Sequence, residues 1–241
     1  MPVMTPLASP PPAPRGFTIL RETDDFWIVD KRAGFAVHDG PGIPPQRTLL
    51  ARLAEYGAAL GIAPQLVHRL DRDTSGCLVV AKNDGAVEFF RQAFARGQIH
   101  KEYLALVKGV FHGDGTISRP LPGRRGENAS ALTHYVVERS FARAGVTLVR
   151  AVIETGRMHQ IRLHFAATHH PVAGDEVHGD FPFNRSLRKG LGLKRQFLHA
   201  RRIRFEYRGD RVEATAPLPP DLQEVLGRLA ELEAGGGVPP G

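Results

Sequence analysis

Five consecutive apolar residues, Cys77-Leu78-Val79-Val80-Ala81, follow directly on a nine-residue stretch that is almost wholly polar, His68-Arg69-Leu70-Asp71-Arg72-Asp73-Thr74-Ser75-Gly76. This junction constrains the fold more than any other part of the chain. An apolar run so short and continuous is consistent with a buried strand. The stretch before it crowds basic side chains, two carboxylates, two hydroxyls and a glycine into a loop. A loop at the edge of a buried strand is where a rigid scaffold presents reactive groups. A carboxylate among Arg and His neighbours suits a nucleophile or a general base. On the residues alone, three other readings stay open: an exposed polar turn, a salt-bridge cluster, and a partial calcium loop from Asp71, Asp73 and Ser75. The calcium loop lacks a bidentate Glu at the required distance.

The rest of the pattern mixes strands and helices without regular βαβ alternation. Phe26-Trp27-Ile28-Val29-Asp30 is a short apolar run ended by the turn Lys31-Arg32-Ala33-Gly34, and residues 35–38 resume it. Residues 48–57 predict a helix capped by Thr48, with Leu49, Leu50, Leu53 and Tyr56 near helical spacing. Asp84 is the expected cap of a second helix, whose Val87, Phe90 and Phe94 share a face and which ends at Gly97. Residues 99–110 read as a strand with Tyr103, Ala105 and Val107 on one side and Leu104 and Leu106 on the other. Further strands are expected at 131–138, 146–154, 201–207 and 211–215. Helices are expected at 158–168 and 221–232, the latter amphipathic through Leu222, Val225, Leu226 and Leu229. The fold class is therefore α+β, with a mixed, largely antiparallel sheet.

Thirty-two Lys and Arg against 25 Asp and Glu leave a net charge of +7, which favours a polyanionic partner. Hydrophobic residues make up 42% of the chain, enough for a buried core. Cys77 is the single cysteine, which excludes a disulfide framework and a multi-Cys zinc site. No apolar stretch approaches the roughly 20 residues needed to span a bilayer, and the start of the chain lacks a signal-peptide pattern. The expectation is a protein of the cytoplasm. Residues 1–16, with six prolines, and residues 234–241 read as disordered tails around one folded unit, 17–233.

A second polar cluster, Thr155-Gly156-Arg157-Met158-His159-Gln160-Ile161-Arg162-Leu163-His164, spans the expected end of a strand and start of a helix, where first-turn amides can seat an anion. Arg162 lies one turn from His159, with the Gln160 amide nearby. That set suits binding a phosphate or pairing with a carboxylate such as Asp71. His159 and His164 are a poor metal pair, because i,i+5 spacing does not put both on one helix face. No P-loop and no dinucleotide GxGxxG pattern is present.

Together the two clusters resemble the RluA-type pseudouridine synthases. HRLDRDTSG is similar to that family's HRLDxxTSG, and TGRMHQIRLH to its TGRTHQIRxH. Four further segments resemble family motifs in the same order: Asp30 through His38 (NKPAGxxVH), Lys101-Glu102-Tyr103-Leu104-Ala105 (KxYxA), His170 through Asp175 (HPIxGD) and Phe197-Leu198-His199-Ala200 (LLHA). The match covers residues 24–207. It implies an α+β pseudouridine synthase fold with flanking helices and a central basic cleft, and isomerisation of uridine in RNA without a cofactor or metal. It also implies that Asp71 is the catalytic aspartate, that Tyr103 packs on the target base, and that Arg162 pairs with Asp71. Arg69 is expected to help extrude the nucleotide, since chemistry on a base requires it to be unstacked. Thr74, His159, Gln160 and Lys31, all within the matched motifs, are the other candidate substrate-binding residues.

The chain departs from the family pattern at Arg32, Met158 and His178, where Pro, Thr and Tyr are usual. It also carries a Pro-rich segment where many relatives carry an S4 RNA-binding domain. RNA affinity is therefore expected from its own basic positions, chiefly residues 184–195, where five of twelve are Lys or Arg. The expected partner is ribosomal or transfer RNA, with a lean to large-subunit ribosomal RNA, and the expected state is a monomer. Rival readings are a non-catalytic RNA-binding or ribosome-assembly protein on the same scaffold, and a metal-dependent hydrolase using the His-rich region.

Overall fold

The computed structural model describes residues 15–38, 44–123 and 127–235, so the expected tails 1–16 and 234–241 lie mostly outside the described residues. Ten strands of the described residues form one sheet. Its first half holds β1 (Phe17–Glu22), β2 (Phe26–Lys31), β3 (Gln65–Leu66) and β4 (Ser75–Ala81). Its second half holds β5 (His100–Lys108), β6 (Asp114–Ser118), β9 (Leu132–Phe141), β10 (Val146–Ile153), β11 (Leu198–Tyr207) and β12 (Asp210–Thr215). The short strands β7 (Leu121–Pro122) and β8 (Asn128–Ala129) pair separately. Along the main path the order is β1-β2-β4-β11-β5-β10-β9-β6, with β3 beside β4 and β12 beside β11.

Every pairing in this sheet is antiparallel except one. Where the halves meet, β11 runs parallel to β4, with His199 opposite Ser75 and Ala200 opposite Gly76. Gly76 makes that contact possible: its φ is +113°, and a Cβ there would lie 2.2 Å from the Ala200 carbonyl oxygen. The glycine that ends the polar loop is thus the seam between the two halves.

Helices cover both faces. On one face, α1 (Leu49–Ala58) and α3 (Gln160–Ala167) bury Leu49, Leu53, Ile161 and Phe165 against Trp27, Val29, Leu78, Tyr103 and Ala105. On the other, α2 (Asp84–Ala95) packs Phe90 among Phe26, Val79 and Phe205. Beside it, α4 (Phe181–Leu191) and α5 (Pro220–Glu233) gather Leu187, Leu191, Leu222 and Leu229 around Leu106 and Val146. The alternation expected in β5 holds, with Tyr103, Ala105 and Val107 on one face and Leu106 on the other.

Several local expectations change. Asn83, not Asp84, caps α2, accepting the Ala86 N–H at 2.9 Å. Residues 35–38 do not resume β2. They form a loop whose Ala36 and Val37 carbonyls accept from the first amides of α1. Residues 154–159 separate β10 from α3, so the strand does not feed the helix directly. Thr48 caps α1 as expected, accepting the Ala51 N–H. Among the described residues, no helix is long and apolar enough to cross a membrane.

Candidate active site

The loop entering β4 is fastened from three directions. His68 accepts the Val79 N–H on Nε2 at 2.8 Å and lies against the Phe94 ring. Burial, aided by the charge of Lys101, pushes its pKa down to about 3, so it serves as a neutral acceptor. From β2, Lys31 reaches the loop with its side chain fully buried, donating at 2.9 Å to the carbonyls of Arg32, Phe35 and Arg72. From the segment just before β11, Arg195 donates to the Asp73 carbonyl at 2.9 Å, and the Gln196 amide donates to Thr74 Oγ1 at 2.7 Å. The Thr74 N–H closes a turn on the Asp71 carbonyl. These bonds leave the backbone of Asp71 little freedom, and its side chain projects toward α3.

There Arg162 Nη1 donates to Asp71 Oδ2 at 2.8 Å. The rest of the guanidinium faces Asp175, donating from Nε and Nη2 to the two carboxylate oxygens at 2.7 and 2.8 Å. Asp175 is fully buried and also accepts the Val177 and His178 N–H groups. Burial opposes the charge on Arg162, but the hydrogen bonds it donates to Asp175 and Asp71 outweigh it and raise its pKa. Burial likewise pushes Asp175 up, and the Arg162 bond with the two amides brings it below the ordinary carboxylate value. The pair is therefore a fixed cation with its far side saturated and one N–H aimed at Asp71. Exposure separates the two carboxylates: the Asp71 side chain is 19% accessible, that of Asp175 is sealed.

His159 stands on the other side of Asp71, with Nε2 at 3.7 Å from Oδ1. Its left-handed backbone, at φ 54°, turns the chain into α3. Its Nδ1 lies 2.8 Å from Nε2 of His178, so one of the departures from the family pattern contacts a matched motif residue. Burial lowers the His159 pKa, with Asp71 opposing and Arg162 and His178 assisting. Tyr103 comes up from β5 into the same region and is 7% exposed. Burial, reinforced by the charges of Asp71 and Cys77, pushes its phenol well above the ordinary value.

The structure brings Asp71, Arg162, His159 and Tyr103 together. Arg69, exposed at the loop, makes no ion pair among the described residues. Lys31, Thr74 and Gln160 are buried, with their polar groups engaged within the protein. Gln160 accepts from Thr155 Oγ1 and the Arg157 N–H and donates to the Leu132 carbonyl, tying the 154–159 turn to β9. His164 points elsewhere, to Thr133 and the Arg119 carbonyl, and so does not join His159. Among the described residues, no three His, Cys, Asp or Glu side chains gather as a metal site. Asp175 carries the largest role that the sequence reading left unassigned. The signal for it was present in the His170 to Asp175 segment, whose pairing with Arg162 needs the chain's return after α3.

Residues 25–167 match the family model described as RNA pseudouridylate synthase. An uncharacterised RNA pseudouridine synthase of Mycobacterium bovis is 41% identical over 92% of this chain and 75% of its own. Ribosomal large subunit pseudouridine synthase C of Pasteurella multocida is 38% identical, over 88% of this chain and 68% of its own. Synthase D of Xanthomonas campestris is 35% identical, over 88% and 69%. The solved structure of human RNA pseudouridylate synthase domain containing 1 superposes with a TM-score of 0.70 at 26% identity, covering 93% of this chain and 96% of that one. With an aspartate, an arginine and a tyrosine converging where the matched motifs meet, the chain belongs to the RNA pseudouridylate synthase family.

Proposed function

We propose that Asp71 is the catalytic carboxylate of this RNA pseudouridine synthase and that large-subunit ribosomal RNA is its substrate. One observation carries the catalytic part: Asp71 is accessible and receives its charge-assisted hydrogen bond from an arginine immobilised by a second, buried carboxylate. That arrangement holds the carboxylate oriented toward a fixed cation, as attack on the sugar or base and proton abstraction alike require. In the reaction the N1–C1′ bond breaks, the base turns, and a C5–C1′ bond forms while the C5 proton is lost and N1 gains one. Tyr103, kept neutral by burial, closes the apolar side of the base site. Arg69, exposed beside Asp71, stands in for the extruded base in the RNA stack. Lys31 and Gln160 act through the backbone they hold, and Thr74 through the Gln196 side chain, instead of touching substrate. The choice of RNA is supported by the relatives whose names specify the large ribosomal subunit.

Asp71→Asn keeps the shape and removes the charge. Tritium release from 5-tritiated uridine in large-subunit ribosomal RNA is expected to fall by at least about 10³-fold, with RNA affinity changed little. Turnover at the wild-type rate would refute the assignment of Asp71.

A further inference from the structure

Beside the Asp175 clamp lies a cleft of about 290 Å³ whose walls include Gly174, Phe181, Asn184, Arg185, Arg188 and Lys194. Asn184 joins it to the catalytic group. Its side chain accepts the Gly174 N–H and donates to the Asp175 carbonyl, both at 2.8 Å. Along α4, Phe181, Arg185 and Arg188 follow at i, i+4 and i+7, so they form one stripe, while Leu187 and Leu191 face the core.

The stripe has features that a merely solvated helix face does not need. Phe181 is 56% exposed, and Met158 and Val177, next to His159 and His178, are exposed as well. Arg185 and Lys194 are exposed and take part in no ion pair among the described residues, whereas Arg188 is paired with Glu176 and Arg195 with Asp221. Lys189, the fifth cation of 184–195, is exposed and in no ion pair among the described residues, but it does not line the cleft. A second cleft, beside the β11–β12 hairpin, is also rich in arginine, but there Arg208 is paired with Asp25 and Arg211 with Glu213, which leaves Arg204 alone, and neither of its phenylalanines, Phe89 and Phe205, is exposed. Free cations interleaved with an exposed aromatic ring fit single-stranded nucleic acid, whose bases stack while its phosphates are neutralised.

We propose that the α4 cleft is the subsite for an unpaired nucleotide flanking the target uridine, its base stacked on Phe181 and its phosphates held by Arg185 and Lys194. The proposal rests on RNA being the substrate, and it assigns to this cleft part of the affinity that selects the strand around the target.

Fluorescence anisotropy with a labelled oligouridine of about nine nucleotides tests it on the full chain. Arg185→Ala with Lys194→Ala is expected to weaken binding about 10-fold and to flatten the slope of log affinity against log salt by about 1.4, two single-strand phosphate contacts. Phe181→Ala is expected to cost about 10-fold and Phe181→Trp to restore it, while an abasic oligomer should be indifferent to Phe181→Ala. All these positions are exposed, so unchanged thermal unfolding accompanies the expected result. An unchanged affinity and salt slope in the double variant would overturn the proposal. So would an equal loss from Arg204→Ala with Arg211→Ala in the second cleft. Tritium release by the wild-type protein reports separately on the catalytic reading. If it is absent while oligouridine binding still depends on Phe181, Arg185 and Lys194, the reading of Asp71 fails and the cleft stands.

Discussion

At the scale of single residues, the two carboxylates on Arg162 divide into a sealed one and an accessible one. Asp175 is sealed and bonded bidentately, whereas Asp71 meets solvent and offers one oxygen to the same guanidinium. Removing one partner of a buried pair costs about 3–5 kcal/mol because the other charge is left uncompensated. Asp175→Ala is therefore expected to lower unfolding free energy by about 3 kcal/mol, and Asp71→Asn by less than about 1 kcal/mol. Urea denaturation of both variants, and a double-mutant cycle of Asp175→Ala with Arg162→Ala giving a coupling of about 2 kcal/mol, check this. Equal losses from the two aspartate variants would contradict the division. The pairing of Arg162 with Asp71 was legible in the sequence because their motifs are local. Asp175 was not, because its role exists only once the chain returns from α3 to bring 162 and 175 face to face. Lys31 and Gln160 read as substrate contacts for a similar reason: a polar residue inside a motif looks the same whether it meets ligand or backbone.

At the scale of elements, most strands and helices followed from apolar periodicity, and the exceptions have physical causes. Helix α4 begins Phe181-Pro182-Phe183 and carries three basic residues before Leu191, so its apolar stripe is thin and it read as a basic segment. Strand β1 alternates poorly because five of its six residues are only partly buried or exposed on both faces of an edge. The order of strands was not legible at all, since pairing is set by contacts distant in sequence. Gly76 is the residue on which that order turns. Gly76→Ala would bring a Cβ against the Ala200 carbonyl and hold a side chain at φ +113°, forcing β4 and β11 apart. The expected loss exceeds about 3 kcal/mol. Gly113→Ala is the control: its φ of +83° strains the backbone, but open space surrounds it, and about 1–2 kcal/mol is expected. Urea midpoints that fall equally for the two variants would mean that the seam tolerates separation.

For the whole molecule, the same seam sets the response to acid. His68 and His199 flank it, and both are held neutral, His199 between Ser75 Oγ and the Ala216 carbonyl. Burial pushes His199 down to about 4 and His68 to about 3. A histidine whose pKa falls on folding gives its full contribution above the unfolded value of 6.5. Below that, the unfolded chain binds a proton that the folded chain refuses, so stability drains away until the folded value is reached. Between pH 6.5 and 4 each histidine should remove about 3 kcal/mol. Asp30 works the other way, because burial raises it to about 6, and it returns about 3 kcal/mol as pH falls from 6 toward 4. Lys31, pushed by burial down to about 7, changes stability only above that pH and is silent in this window. For these three groups the balance is a net loss of about 3 kcal/mol, to which His159 and His164, also lowered by burial, add in the same direction. It should appear as a urea midpoint that declines steadily from pH 6.5 to 4. His199→Gln cannot titrate, so its midpoint, although lower at pH 7, should decline about half as steeply or less. A slope unchanged by this substitution would show that the acid sensitivity lies outside the β4–β11 seam.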